Sequence, residues 1–214
     1  THSSTLFPYT TLFRSTVIRI FYPGALFRVR TTQKKLYLTF DDGPDPESTP
    51  YILKILEAHN VKAVFFCIGK MAEKYPELIE SIKSSGHIVG NHGYDHYDGW
   101  KTGTKDYLGN VSLASCFTSG NIFRPPYGRI TLSQFRILAK TYKVVFWDLM
   151  PHDYDSRMSS VKILTILGRK VRNGSVIVLH DRRGSSVLTF LDDFIREAVA
   201  RGYAFLKLPV SGEE

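Results

Sequence analysis

Thr39-Phe40-Asp41-Asp42-Gly43-Pro44 closes an apolar run that begins at Leu36, and its reading decides the fold. The run alternates apolar side chains at strand spacing and Gly43-Pro44 stops it, so 36–40 is predicted to be a buried strand ending in a turn. Two adjacent carboxylates at the buried end of a strand repel each other and are costly to take out of water. A metal ion, or a base beside a metal ligand, accounts for both. A helix cap next to a turn aspartate is the plainer alternative.

The pattern repeats downstream. Short apolar runs at 63–67, 87–90, 122–124, 144–147, 175–180 and 204–208 read as six further strands. Helical spacing lies between them: Ser48-Thr49-Pro50 opens the first helix, with Ile52, Ile55 and Leu56 on one face, and others follow around 71–84, 105–116, 131–141, 159–171 and 186–201. Gly86, Gly174 and Gly202 stand where such helices end. Seven strands in regular alternation with helices imply an α/β fold with a parallel sheet covered on both faces, and the length favours closure into a (β/α) barrel. No Gly-x-Gly-x-x-Gly follows the first strand, which argues against a dinucleotide-binding sheet.

At 214 residues the chain is long enough for one domain with its own core. An excess of 28 basic over 20 acidic residues gives a formal charge of +8 and favours anionic partners. The basic residues are scattered rather than striped, so no nucleic acid is expected. No apolar run approaches the roughly 20 residues of a membrane span, and no obligate protein partner is evident. Cys67 and Cys116 form no Cys-x-x-Cys pair, and Cys67 within an apolar strand reads as a buried free thiol. Residues 1–15, above all Thr5–Ser15, resemble an in-frame translation of a sequencing-library adapter and are set outside the fold. Residues 16–34 form a lead-in and 35–210 the domain proper.

In barrels of this kind the chemistry collects beyond the C-terminal ends of the strands. The candidate groups all fall there. Asp41 and Asp42 follow the first strand, Asn91-His92-Gly93-Tyr94-Asp95-His96 the third, and Arg124-Pro125-Pro126-Tyr127-Gly128 the fourth. Trp147, Asp148, Asp153 and Tyr154 follow the fifth, and Leu179-His180-Asp181 ends the sixth. Histidines four apart can aim at one point, and a carboxylate from the first strand would complete a three-ligand site with open positions. The same set suits a catalytic zinc or a non-haem iron.

Four of these segments, Thr39–Pro44, Asn91–His96, Arg124–Gly128 and Leu179–Asp181, resemble in this order the motifs of the polysaccharide deacetylase (NodB-type, carbohydrate esterase) family, a likeness over roughly residues 35–208. The resemblance implies a distorted (β/α) barrel of about seven parallel strands, and removal of N- or O-acetyl groups from a glycan such as peptidoglycan or a chitin-type oligosaccharide. It implies a divalent metal, zinc first, with cobalt, nickel or manganese as alternatives, held by Asp42, His92 and His96. It makes Asp41 the general base, Arg124 its ionic partner, the Tyr127 amide an oxyanion donor and His180 the general acid, oriented by Asp153. Trp147, Tyr154 and Leu179 would line the acetyl pocket, and the cell envelope or secretion is the implied location. Gly93 departs from the Ser or Thr usual in the family, and Tyr154 from a Trp. Asp148 competes with Asp153 for His180. A non-catalytic glycan-binding relative and an iron oxygenase are the alternatives from other classes.

Overall fold

The computed structural model describes residues 16–209, so the adapter-like reading of 1–15 lies outside the described residues. Seven strands form one sheet in which every pairing is parallel: β1 (Lys35–Asp41), β2 (Val64–Cys67), β3 (Ile88–Asn91), β4 (Ile122–Phe123), β5 (Lys143–Val144), β6 (Ser175–His180) and β7 (Ala204–Phe205). The order is β5-β4-β3-β2-β1-β6, and β7 pairs with Lys35 and Leu36 at the start of β1. The sheet curls into a distorted barrel. Beyond β5 the chain stays alongside β6, where the Asp148 and Leu149 amides donate to the Val176 carbonyl at 2.9 and 3.2 Å.

Part of that wall comes from the lead-in. The Leu26 amide donates to the Val144 carbonyl at 2.9 Å and its own carbonyl accepts from Phe146 at 2.8 Å. The Val29 amide donates to Gly174 at 2.9 Å. Residues 26–29 therefore fill the gap between β5 and the foot of β6. The sequence reading left them without a role, because their hydrogen-bond partners are remote in the chain.

Two-residue periodicity sorts β1. Leu36, Leu38 and Phe40 pack outward on Ile52, Leu56, Ile79 and Ile163 of the helices. Tyr37 points the other way, onto Val64, Phe66, Ile122, Val145 and Val176 inside the barrel. Thr39 and Asp41 continue that inward row, and both are buried. Cys67 is a buried free thiol, while Cys116 is free and exposed.

Several boundaries differ from expectation for identifiable reasons. The helix expected over 71–84 is two, Gly69–Lys74 and Pro76–Ser84, because Pro76 has no N–H to continue the first and suits the opening turn of the second. The helix expected from 186 starts as a 3₁₀ turn, Val187–Thr189, before Leu191–Ala200. β5 covers Lys143–Val144 rather than 144–147, since the following residues pair instead with the lead-in and β6. A short helix, Thr16–Phe21, lies in the lead-in where none was expected.

Gly174 holds the closure together. Its φ is +79°, and a Cβ there would lie 1.9 Å from the Val29 carbonyl oxygen. Gly174→Ala should therefore destabilise the chain by about 2 kcal/mol or more, measured by urea unfolding. A loss under about 0.5 kcal/mol would mean the lead-in is not gripped there.

Candidate metal centre and catalytic cleft

Alternation should send Asp41 and Asp42 to opposite faces of the sheet. Asp42 instead adopts a left-handed backbone, with φ 77°, and both carboxylates line the same cavity. Aspartate tolerates that region better than most residues with a Cβ. Gly43 is required next to it, since a Cβ there would fall 2.3 Å from Asp181 Oδ2.

Asp42, His92 and His96 converge, with one ligand atom from each lying within 4.8 Å of the others. Asp42 Oδ1 is 3.6 Å from His92 Nε2 and 3.2 Å from His96 Nε2. His92 Nδ1 donates to the Arg124 carbonyl at 2.8 Å, which fixes the tautomer and leaves Nε2 as the ligating nitrogen. Burial is the main reason the His92 imidazole is pushed down to about 4, so it is neutral and able to ligate at neutral pH. Burial works against ionisation of Asp42, but its hydrogen bond to His96 and the charges of His180 and His92 hold its carboxyl well below the usual range. One carboxylate, two imidazoles and a carbonyl behind one of them fit a divalent cation.

Asp41 stands beside this cluster, its Oδ2 3.8 Å from His92 Nε2. Its Oδ1 accepts from Arg124 Nη1 at 2.7 Å. Arg124 has no solvent exposure, and the same Nη1 reaches Thr39 Oγ1 at 2.7 Å. Nε and Nη2 donate to the Val145 and Phe146 carbonyls at 3.2 and 3.0 Å, and the guanidinium lies 4.2 Å from the Phe66 ring centre. Arg124 is fully enclosed, and Asp41 keeps only an edge open to the cavity.

His180, the register partner of Asp41 on β6, also lines the cavity. Its Nδ1 meets Asp153 Oδ1 at 2.8 Å, and Asp153 Oδ2 accepts from the His180 amide at 2.8 Å and from Ser185 Oγ at 2.9 Å. Burial alone would lower this imidazole. The Asp153 carboxylate, aided by Asp42 and Asp41, outweighs it and raises it to about 9. Asp148 is engaged elsewhere, by Arg172 and by Ser175 Oγ at 2.7 Å. The sequence left these two aspartates in competition; the structure brings only Asp153 to His180.

The cavity measures about 530 Å³. Trp147 and Tyr154 line it, and the Tyr154 ring stands edge-on to His180 at 4.8 Å. Tyr127, with φ 58°, packs its ring 4.5 Å from His96. Leu179 is not among the lining residues: it is wholly buried in the core between sheet and helices. Alternation explains this, because Leu179 and His180 are successive strand residues and only one can face inward. Ile68, Met71, Met150 and Arg182 line the cavity without having been singled out, since single apolar or basic residues in loops carry no pattern. Arg182 Nε lies 3.4 Å from Asp42 Oδ2. Asp181 was also passed over as a site residue. Its buried carboxyl accepts from Ser48 Oγ and Thr49 Oγ1, each at 2.6 Å, and burial raises it to about 7.

Two predictions follow from these geometries. In the metal-free protein His180 should titrate near pH 9, and Asp153→Asn should bring it back toward 6.5, read from the imidazole Cε1–H resonance. Because the folded value exceeds the unfolded one, this pair's stabilisation is complete below about pH 6.5 and fades as pH climbs through 9. An unaltered His180 titrating near 6.5 would contradict the assignment. Arg124→Ala strands a buried carboxylate and should lower unfolding stability by about 3–5 kcal/mol; a change below about 1 kcal/mol would show that Asp41 finds another partner.

Comparison with known proteins identifies the family. The polysaccharide deacetylase family model matches residues 28–145. A peptidoglycan-N-acetylglucosamine deacetylase of Bacillus cereus is 34% identical over 182 residues, covering 80% of this chain and 66% of that protein. A chitooligosaccharide deacetylase of Azorhizobium caulinodans is 31% identical over 207 residues, covering 87% of this chain and 98% of that one. Among solved structures, the Bc1960 peptidoglycan N-acetylglucosamine deacetylase superposes with a TM-score of 0.82 at 31% identity, covering 89% of this chain and 95% of that one. Sequence match, backbone and strand-end chemistry converge on one answer: the chain belongs to the polysaccharide deacetylase family, and with it to the hydrolases of non-peptide carbon–nitrogen bonds.

Proposed function

We propose that this chain hydrolyses N-acetyl groups from N-acetylglucosamine units of a glycan, peptidoglycan or a chitin-type oligosaccharide, with Asp42, His92 and His96 holding a divalent cation, zinc by preference. The observation that carries the reading is the placement of two proton-transfer groups on one cavity: a carboxylate beside the ligand cluster and, on the neighbouring strand, an imidazole raised to about 9. A cation bound by these three ligands supplies Lewis acidity and lowers the pKa of water to about 7.

The chain's own residues divide the remaining work. Asp41 takes the proton from the attacking water, and Arg124 holds its other oxygen so that Oδ2 faces the cavity. The backbone amide of Tyr127, on the loop beside His96, donates to the developing oxyanion. His180, charged at neutral pH and fixed by Asp153, delivers a proton from Nε2 to the departing amine. Trp147 and Tyr154 bound the space for the acetyl methyl and keep water from it. An iron oxygenase would have no use for the Arg124–Asp41 and His180–Asp153 pairs. A degraded, binding-only site is disfavoured because each proton-transfer group is present. The cell envelope or the exterior is where such glycans lie, and no helix among the described residues is long and apolar enough to cross a membrane.

The test is acetate release from a panel of acetylated glycans by the zinc-loaded protein. Asp41→Asn should lower turnover by about 100- to 10,000-fold while zinc stays bound, and chelation should abolish turnover reversibly. Full activity of Asp41→Asn would remove the base assignment. No acetate from any substrate would remove the deacetylase reading.

A further inference from the structure

The loop that carries His92 and His96 leaves the β2–β3 ladder after His92, whose amide donates to the Cys67 carbonyl at 3.0 Å. Two of its residues, Gly93 and His96, take left-handed backbone conformations with φ 75° and 58°. A residue with a Cβ stays in that region only where its surroundings over-determine it. The surroundings here are the start of the helix Gly69–Lys74, whose Gly69 and Lys70 amides donate to the Gly93 and Tyr94 carbonyls at 2.8 and 3.2 Å, and one turn of the helix Thr104–Ala114. We propose that Asn110, on that helix, is a positioning residue for the metal centre: its amide sets the 91–96 loop in the shape that delivers both imidazoles. The proposal rests on the metal-site part of the reading above.

Asn110 is 8% exposed. Its Oδ1 accepts from two successive loop amides, Tyr94 at 2.8 Å and Asp95 at 3.3 Å, and its Nδ2 donates to Asp95 Oδ2 at 3.3 Å. That last bond fixes which end of the amide faces the loop. One residue further along, the Val111 carbonyl accepts from Asn91 Nδ2 at 2.9 Å, and Asn91 Oδ1 accepts from the Gly93 amide at 2.8 Å. The helix thus grips the loop on both sides of Gly93. A Cβ at position 93 would lie 3.0 Å from Asn110 Oδ1, so the glycine leaves the room that the amide oxygen occupies. Gly93 and Asn110 are a matched pair.

Asn110 makes no contact with a ligand atom; its effect passes through loop shape. Small movement of the loop changes how His92 and His96 face Asp42, and groups standing behind metal ligands commonly govern affinity by 10- to 100-fold. The direct test is zinc affinity of the full chain, measured by competition with a chromophoric chelator. Asn110→Ala should weaken zinc by about 10-fold or more. Ile163→Val, buried among the helices on the outer side of the sheet, should lower the melting temperature and leave zinc affinity unchanged. Should Asn110→Ala not fold, Asn110→Ser keeps a hydroxyl at the position and should show a smaller loss in the same direction. Zinc binding at unaltered strength in either folded Asn110 variant overturns the proposal, as does an equal loss in Ile163→Val. An unaltered chain that binds zinc but releases no acetate would sink the deacetylase reading and leave this one standing, whereas one that binds no zinc sinks both.

Discussion

The enclosed contact between Arg124 and Asp41 joins β1 to the end of β4 across the interior of the barrel, and the rest of the site is arranged around it. A guanidinium with no solvent exposure is tolerable only when its donors are spent, and here they go to Asp41, to Thr39 and to two carbonyls just beyond β5. The Arg124 carbonyl meanwhile orients His92. One residue thus fixes Asp41 through its side chain and His92 through its backbone. The proximity of Asp41 to the Asp42, His92 and His96 cluster is a consequence of that sharing.

The same cavity carries two histidines in different charge states at neutral pH. His92 and His180 are both buried histidines, yet one is pushed down to about 4 and the other up to about 9. Burial acts on both. What differs is the company: His92 has a carbonyl behind it, whereas His180 has a carboxylate accepting from ring and backbone together. A neutral and a charged imidazole are therefore obtained from one residue type by the group placed at Nδ1.

Much of this was legible in the sequence. Apolar runs of three to six residues recurred along the chain and several ended in titratable groups, so the strands, their parallel arrangement and the edge carrying the chemistry could be read from local pattern. Asp41, Asp42, His92, His96, Arg124 and His180 stood out for the same reason. What stayed hidden depended on contacts remote in the chain. Asp148 and Asp153 could not be told apart, because Arg172 and Ser175, which claim the first, lie in another element. Leu179 was assigned to the cavity by resemblance, although strand alternation places it in the core beside His180. Asn110 had no signal at all, being a single polar residue inside a helix.

The wall segment 26–29 carries a consequence for how the molecule is made. Its neighbours, Val144 to Phe146 and Gly174, emerge from the ribosome only after most of the strands have been synthesised. The first residues of the described chain must therefore wait, unpaired, for some of the last. Closure of this barrel is a late and long-range event, which places the chain among slower-folding topologies and leaves an open β edge on the nascent intermediate.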